Sequence, residues 1–385
     1  MFVFVSNFYN HHQAFFSKEM VMQTNNQFRF IETVPIDAGR KNMGWGYEEK
    51  PEFVLQSYTD KQSWAQCKRL IGEADVVIWG SCPFSLIKPR LKAGKLTFAY
   101  SERIFKKGYT GIAFWGRVVK YFFKLHKYQQ NHFLLCASGY ASEDYHRFGL
   151  FDGCAVKWGY FPETKEYKNI AELIHNKQPT SLLWVARMID WKHPELAIQV
   201  AKQLKADGHQ FHLNMIGIGE LEEQLNNMID NYGLQDCVHL LGAMKPEQVR
   251  KHMEQSQVFL FTSDCNEGWG AVLNEAMNSG CAVVANRDIG SVPFLVINGV
   301  NGLVYDDGDF DELYRHTVDL LNDATLRENI GRNAFYTITT MWNSKTAVKR
   351  LLLLIEKLKR NEENPFSDGV CSAAEAHTGG HLRQL

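Results

Sequence analysis

Short, wholly apolar runs recur along the chain, each followed by polar residues and then by a stretch with helical spacing. In the first half they fall at residues 2–5, 28–31, 76–79, 96–100 and 133–136. Runs this short and this apolar predict strands buried on both faces, the condition a parallel sheet imposes. The second half alternates more strictly. Strands are predicted at 181–186, 211–216, 238–241, 258–262 and 282–285, with helices at 194–207, 221–232, 246–255 and 266–280 between them. Within 194–207, Leu196, Ile198, Val200, Ala201 and Leu204 supply the apolar face that such a helix lays on a sheet. Further helices are predicted at 311–322, 326–335 and 344–358, the last strongly apolar. The alternation predicts an α/β protein built on two doubly wound parallel sheets.

The polar stretch 163–180, with Pro162 and Pro179 at its edges, reads as a connection. A first domain is therefore expected over 1–165 and a second over 178–340. The segment 341–360 is expected to form a helix packing back toward the first domain. Residues 361–385, polar and rich in Gly, Ser and Ala, are expected to be a disordered tail.

Composition agrees with two cores. The chain has 385 residues, more than one ordinary core needs. Lys plus Arg number 42 against 43 Asp plus Glu, so there is no basic footprint for nucleic acid. The start, Met1-Phe2-Val3-Phe4-Val5-Ser6-Asn7, has neither a basic n-region nor a small-residue cleavage site, and no secretory signal is expected. The longest aliphatic run, 351–355, is far short of a membrane span. The eight Cys include no CxxC pair, so neither a zinc site nor a disulfide framework is expected, and a reducing cytoplasm fits.

The strongest chemical motif is Asn266-Glu267-Gly268-Trp269-Gly270-Ala271-Val272-Leu273-Asn274-Glu275. It follows a buried strand and opens a helix. Its glycines free the backbone to approach a ligand, and the helix start offers unpaired amides to an anion. Glu267 and Glu275 suit hydroxyl donors such as those of a sugar or a ribose. The plain alternative is a glycine-rich turn with two solvated glutamates. A second motif, Ala186-Arg187-Met188-Ile189-Asp190-Trp191-Lys192, sits at the carboxyl end of the first strand of its domain, where open α/β sheets take ligands. Arg187 and Lys192 could both turn to one anion there. Gly217-Ile218-Gly219 lacks the third glycine of a dinucleotide fingerprint, Glu222 standing in its place, which weakens a dehydrogenase reading.

Arg187 with Lys192, Gly217-Ile218-Gly219, and Glu267 followed by Glu275 together resemble the pattern of family 4 glycosyltransferases, the group 1 family. The flanks Ser279-Gly280-Cys281 and Asn298-Gly299-Val300-Asn301-Gly302 are similar too. The resemblance covers about 181–340 and implies the GT-B fold, two Rossmann-like domains facing a cleft. It implies retaining, metal-independent transfer of a hexose-type sugar from a nucleotide sugar, with no cofactor and a UDP-sugar favoured. By position, Arg187 and Lys192 would hold the diphosphate, with Gly217 and the amides of Gly270, Ala271 and Val272 also on the donor. Glu267 would meet the donor sugar, Glu275 the ribose, and residues 241–243 the base. The expected acceptor is a glycan or a lipid-linked sugar.

The first domain departs from the family pattern. Where many members carry a glycine pair, this chain has Asn7-Phe8-Tyr9-Asn10-His11-His12-Gln13, similar to members from bacterial surface-polysaccharide clusters. His11 and His12 are candidates for the reaction centre, and Glu102 and Arg103, after another strand, for the acceptor side. His209 and His212 span a turn and a strand start and make a poor metal pair. Residues 114–127 predict an amphipathic helix, with Trp115, Val118, Val119, Phe122 and Phe123 on one face and Arg117, Lys120, Lys124 and Lys127 on another. That pattern suits an anionic membrane surface and predicts a peripheral protein on the inner face of the cell membrane; a helix packed on its own domain is the alternative. A sugar-nucleotide epimerase of the same fold and a non-catalytic nucleotide-sugar binder are the rival functions.

Overall fold

The computed structural model describes residues 1–37, 49–106 and 111–375, which form two compact units. The first unit comprises 1–162 and the chain from 343 onward; the second comprises 163–342. In the first, strands β1 (Phe2–Ser6), β2 (Phe28–Glu32), β3 (Val54–Gln56), β4 (Val76–Trp79), β5 (Thr97–Ser101), β6 (His132–Cys136) and β7 (Ala155–Lys157) form one sheet in the order β3-β2-β1-β4-β5-β6-β7. Every pairing is parallel. In the second, β8 (Ser181–Val185), β9 (His212–Ile216), β10 (Val238–Leu240), β11 (Val258–Phe261), β12 (Ala282–Asn286) and β13 (Leu303–Tyr305) are ordered β10-β9-β8-β11-β12-β13, again parallel.

Both sheets start at their centre and reverse direction once, between β1 and β4 and between β8 and β11. Such a reversal leaves a crevice at the carboxyl ends of the two strands, because their following connections leave on opposite faces. In the second unit the pairing itself shows the divergence. β8 stays with β9 as far as Val185↔Ile216, but its pairing with β11 ends at Leu183↔Phe259. Helices on both faces close a core of Leu182, Trp184, Ile198, Leu213, Met215, Leu260 and Val284, all at most 2% exposed.

The segment from 361 is a correction. Residues 361–375 do not form a disordered tail: they cover the edge strand β7. Cys371 N donates to Lys157 O at 2.8 Å, Lys157 N to Ser372 O at 2.8 Å and Ala374 N to Ala155 O at 3.0 Å. Val370 and Cys371 are fully buried. An open strand edge offers unpaired amides and carbonyls, and small residues let a second chain segment approach closely enough to use them. The rest of the expected tail, 376–385, lies outside the described residues. Just before this segment, helix Ser344–Lys359 turns Ala347, Val348, Leu351, Leu354 and Ile355 inward and packs on helix His11–Gln23 within the first unit.

Candidate functional site

In the second unit the loops after β8 and β11 are stitched together at the crevice. The turn Asp190–Lys192 is fixed from below: Trp184 Nε1 donates to Thr262 Oγ1 at 2.9 Å, and that hydroxyl lies 2.8 and 2.9 Å from the carbonyls of Lys192 and His193. Asp264 N donates to Trp191 O at 3.1 Å. His193 ends the turn in a left-handed conformation, φ 47°, and starts helix Pro194–Ala206. Its ring bridges two carboxylates, with Nδ1 2.8 Å from Glu195 and Nε2 3.6 Å from Asp264. Hydrogen bonds to Asp264 and then Glu195 push its pKa up to about 10, so it is a cation at neutral pH.

This clasp sets Arg187, Trp191 and Lys192 together. Arg187 is exposed, with its guanidinium 5.8 Å from the centre of the Trp191 ring. The Lys192 ammonium lies 4.3 Å from the same ring. One indole thus steadies both cations, each such contact contributing about 0.5–1 kcal/mol at a partly exposed site. Sequence spacing anticipated the two cations but not the ring, which lies between them in the motif. Nor did it anticipate that Lys192 would ion-pair directly with Glu267, 75 positions later. Ser263 Oγ donates to the same carboxylate oxygen at 3.2 Å. Both side chains of the pair are about nine-tenths buried, at 11% and 10% exposure.

Glu267 sits where the chain turns into helix Ala271–Asn278. Gly270 makes that turn at φ 85°, and a Cβ there would stand 2.4 Å from the Phe261 ring. The helix starts at Ala271 and Val272, whose amides have no intrahelical acceptor, as at any helix start. Glu275 lies one turn further. Burial raises its pKa against the pull of Arg250, whose guanidinium donates to the carbonyls of Glu275 and Glu163 and to Asn278 Oδ1. Arg250 was not singled out from the sequence, since a lone basic residue on a polar helix carries no signal. Gly217 closes the floor. Its amide donates to Gly242 O, and a Cβ on it would lie 1.8 Å from Ala186 O. Its missing side chain lets the loops after β8, β9 and β10 meet, which sets residues 241–243 beside it.

The remaining sequence candidates belong to the first unit. Asn10 caps helix His11–Gln23 and forms a capping box with Gln13, so Gln13 is structural. The His11 and His12 rings are 3.9 Å apart, and His12 stacks on Tyr160 at 5.1 Å. Burial, then the neighbouring His11, lowers the His12 pKa to about 3. His12 is therefore neutral at pH 7 and has hydrogen bonds to offer but no proton to donate as an acid. Glu102 accepts from Tyr160 Oη at 2.5 Å and pairs with Lys106 at 3.0 Å. Arg103 is buried against the Tyr140 ring. Among the described residues no group of three His, Cys, Asp or Glu could hold a metal ion.

One consequence is measurable without a ligand. A His whose pKa is raised from 6.5 to about 10 on folding adds stability in full below pH 6.5 and loses it as pH rises through 10. Thermal melts between pH 6.5 and 10 should show a decline that is smaller in His193→Asn, which keeps the left-handed backbone but cannot titrate. Equal declines would show that the clasp does not hold a charged imidazole.

Residues 166–336 match the family model described as glycosyl transferases group 1. Over 208 residues the chain is 30% identical to the amylovoran biosynthesis glycosyltransferase AmsK of Erwinia amylovora, covering 53% of this chain and 50% of that protein. Over 186 residues it is 27% identical to the putative colanic acid biosynthesis glycosyltransferase WcaL of Salmonella typhimurium, covering 47% and 46%. The chain spans about half the length of these curated relatives. Among solved structures it resembles Anabaena HepE in complex with UDP and glucose, with a TM-score of 0.64 at 15% identity over 93% of this chain and 99% of that one. The pneumococcal O-GlcNAc transferase GtfA, in complex with UDP and GlcNAc, gives 0.66 at 12% identity over the same shares of 93% and 99%. Likeness at such identities is a likeness of fold, and the fold is GT-B.

Proposed function

We propose that this chain, a group 1 glycosyl transferase over residues 166–336, moves a hexose-type sugar from a nucleoside diphosphate sugar to a glycan or lipid-linked acceptor. In this reading the transfer retains configuration, needs no metal and serves surface-polysaccharide synthesis, the setting that the names of AmsK and WcaL carry. A UDP-sugar is the favoured donor.

The observation that carries the reading is the convergence in the second unit. Arg187 and Lys192 share the Trp191 ring, and Lys192 is paired to Glu267 at the entry of a helix whose first amides are open. As the sugar–phosphate bond breaks, negative charge grows on the diphosphate. Two fixed cations and a helix N-terminus stabilise that charge without reorganising. Glu267 faces the sugar, where positive charge develops, and Glu275 takes the ribose hydroxyls. Neutral His12, with the His11 ring beside it, serves as a hydrogen-bond partner rather than as an acid.

A thermal-shift series with UDP-, GDP- and ADP-sugars tests the donor, because a ligand that binds only the folded chain raises its melting temperature. A UDP-sugar should stabilise most, and the transferred anomer followed by NMR in EDTA should keep the donor's configuration. No shift with any nucleotide sugar would overturn the reading. An inverted product, or loss of turnover in EDTA restored by Mn²⁺, would remove retention or metal independence.

The membrane part of the proposal rests on helix Gly111–Leu125. Ile112, Trp115, Val119, Phe122 and Phe123 are exposed along one stripe, Trp115 at 64% and Phe123 at 72%. Lys120 and Lys127 are exposed beside it. Two details differ from the sequence pattern: Val118 is half-buried, and Lys124 leaves the basic stripe to lie over the rings of Phe84, Trp79 and Tyr121. Apolar side chains flanked by cations fit an anionic bilayer surface; no helix among the described residues is long and apolar enough to cross one. The chain should pellet with anionic vesicles, and a Lys120→Glu/Lys127→Glu variant should pellet less. Equal pelleting would overturn the attachment.

A further inference from the structure

A buried cation without a counter-charge lies in the loop after β5. Arg103 is only 5% exposed. Its guanidinium stands over the Tyr140 ring, Cζ 4.8 Å from the centroid. Its Nε is enclosed and meets no acceptor, and no carboxylate among the described residues pairs with it. The nearby acids are engaged elsewhere. Glu102 accepts from Tyr160 and Lys106. Asp144 accepts the backbone amides of Ile104 and Phe105, at 2.5 and 3.0 Å.

This is an unusual place for an arginine. A charge taken out of water is costly unless a counter-charge or hydrogen bonds replace its hydration. An aromatic face attracts the cation but supplies no lone pairs for its five N–H donors. The other fully buried arginine among the described residues of this unit is provided for. Arg90, 1% exposed in the same unit, donates to the carbonyls of Ile71, Ala74, Asp75 and Leu96 and to Thr97 Oγ1. The fold can thus satisfy a buried guanidinium completely, and at Arg103 it does not.

The surroundings say what kind of anion would complete it. Arg103 follows the carboxyl end of β5, the end at which open α/β sheets take ligands. The preceding residue, Glu102, holds Tyr160, and Tyr160 stacks on both His12 and Tyr100 at 5.1 and 6.0 Å. Aromatic faces beside a carboxylate suit a sugar ring, and a guanidinium fork suits a phosphate. Resting on the glycosyl-transfer reading above, we propose that Arg103 binds the phosphate group of the acceptor, so that the acceptor is a phosphorylated sugar rather than a neutral glycan. A lipid-linked sugar phosphate and a free one share that chemistry.

The test uses the full chain saturated with UDP, so that the anion positions around Arg187 and Lys192 are filled. Inorganic pyrophosphate, octyl phosphate and octanol are then titrated by calorimetry. Pyrophosphate and octyl phosphate should bind the UDP-saturated chain, and octanol should not. Arg103→Gln should weaken both by about tenfold or more, the scale of one charge-assisted contact, and leave UDP affinity unchanged. Arg103→Lys keeps a cation on Tyr140 but lacks the fork, and should fall between; it decides the matter if the Gln variant does not fold. Tighter binding of octyl phosphate than pyrophosphate supports a lipid-linked acceptor, and equal binding supports a free sugar phosphate. Absence of phosphate binding in the UDP-saturated chain, or equal affinities in wild type and both variants, would overturn the proposal. UDP binding is read in the same experiment, so failure of the donor reading would show separately.

Discussion

Replacing Glu267 by Gln should lower kcat by roughly tenfold or more, a loss of about 1.4 kcal/mol of transition-state stabilisation, while affinity for free UDP holds or tightens. The two halves come from one contact. Glu267 is ion-paired with Lys192 and accepts from Ser263. Its carboxylate therefore draws on the same ammonium that a diphosphate would use. Gln removes that competitor and frees Lys192 for the anion, so ground-state binding of the nucleotide does not suffer. The cost falls where positive charge develops on the sugar, an interaction felt in the transition state and seen in kcat. Glu275→Gln should behave in the opposite way. Glu275 sits a turn inside the helix, where burial raises its pKa against the pull of Arg250, which donates to its main-chain carbonyl. Trading a carboxyl oxygen for an amide nitrogen removes an acceptor for the ribose hydroxyls and should weaken free UDP and donor alike. Calorimetry with UDP and steady-state rates at saturating donor separate the two. If Glu267→Gln lost UDP affinity as severely as Glu275→Gln, the sugar-side role of Glu267 would be wrong.

That contact also marks how far the sequence could be read. The central strands were legible because they are buried on both faces and carry nothing but apolar residues: Val76–Trp79 and Val258–Phe261 are fully buried. The strands β3 and β7 were not. They are three residues long at sheet edges, too short to set up a period, and β7 is completed by a segment more than two hundred positions away. The same long-range pairing explains the misread tail, since Gly, Ser and Ala mark disorder only where no open edge awaits them. In the site, spacing identified Arg187, Lys192, Glu267 and Glu275 as chemically apt. Which of them touch one another depends on the reversal of the sheet between β8 and β11, and no local pattern records it. Trp191 and His193 were missed for a related reason. An aromatic in a loop has many uses, and the left-handed backbone at His193 shows only once Glu195 and Asp264 are in place around its ring.

Lys192→Met should be strongly destabilising, and its effect should be repaired by a second mutation that does not restore function. Removing the ammonium leaves the Glu267 carboxylate at 10% exposure with Ser263 as its remaining side-chain donor. Breaking one side of a buried pair costs about 3–5 kcal/mol, because the other charge is stranded out of water. In the double variant Lys192→Met/Glu267→Gln no charge is stranded, and most of that loss should return. Donor affinity should not return with it, since the diphosphate still lacks its cation; it should remain down by about tenfold or more. Arg187→Gln provides the contrast. Arg187 is exposed and lies 5.8 Å from the Trp191 ring centre, so its loss should cost less than about 1 kcal/mol of stability, yet it should weaken UDP as Lys192→Met does. Urea unfolding and UDP calorimetry on these variants place each on two independent axes. Should the double variant stay as unstable as Lys192→Met, the Lys192–Glu267 pair would not be what holds the two loops together. Should it regain UDP affinity, Lys192 would be a structural partner of Glu267 and not a ligand for phosphate.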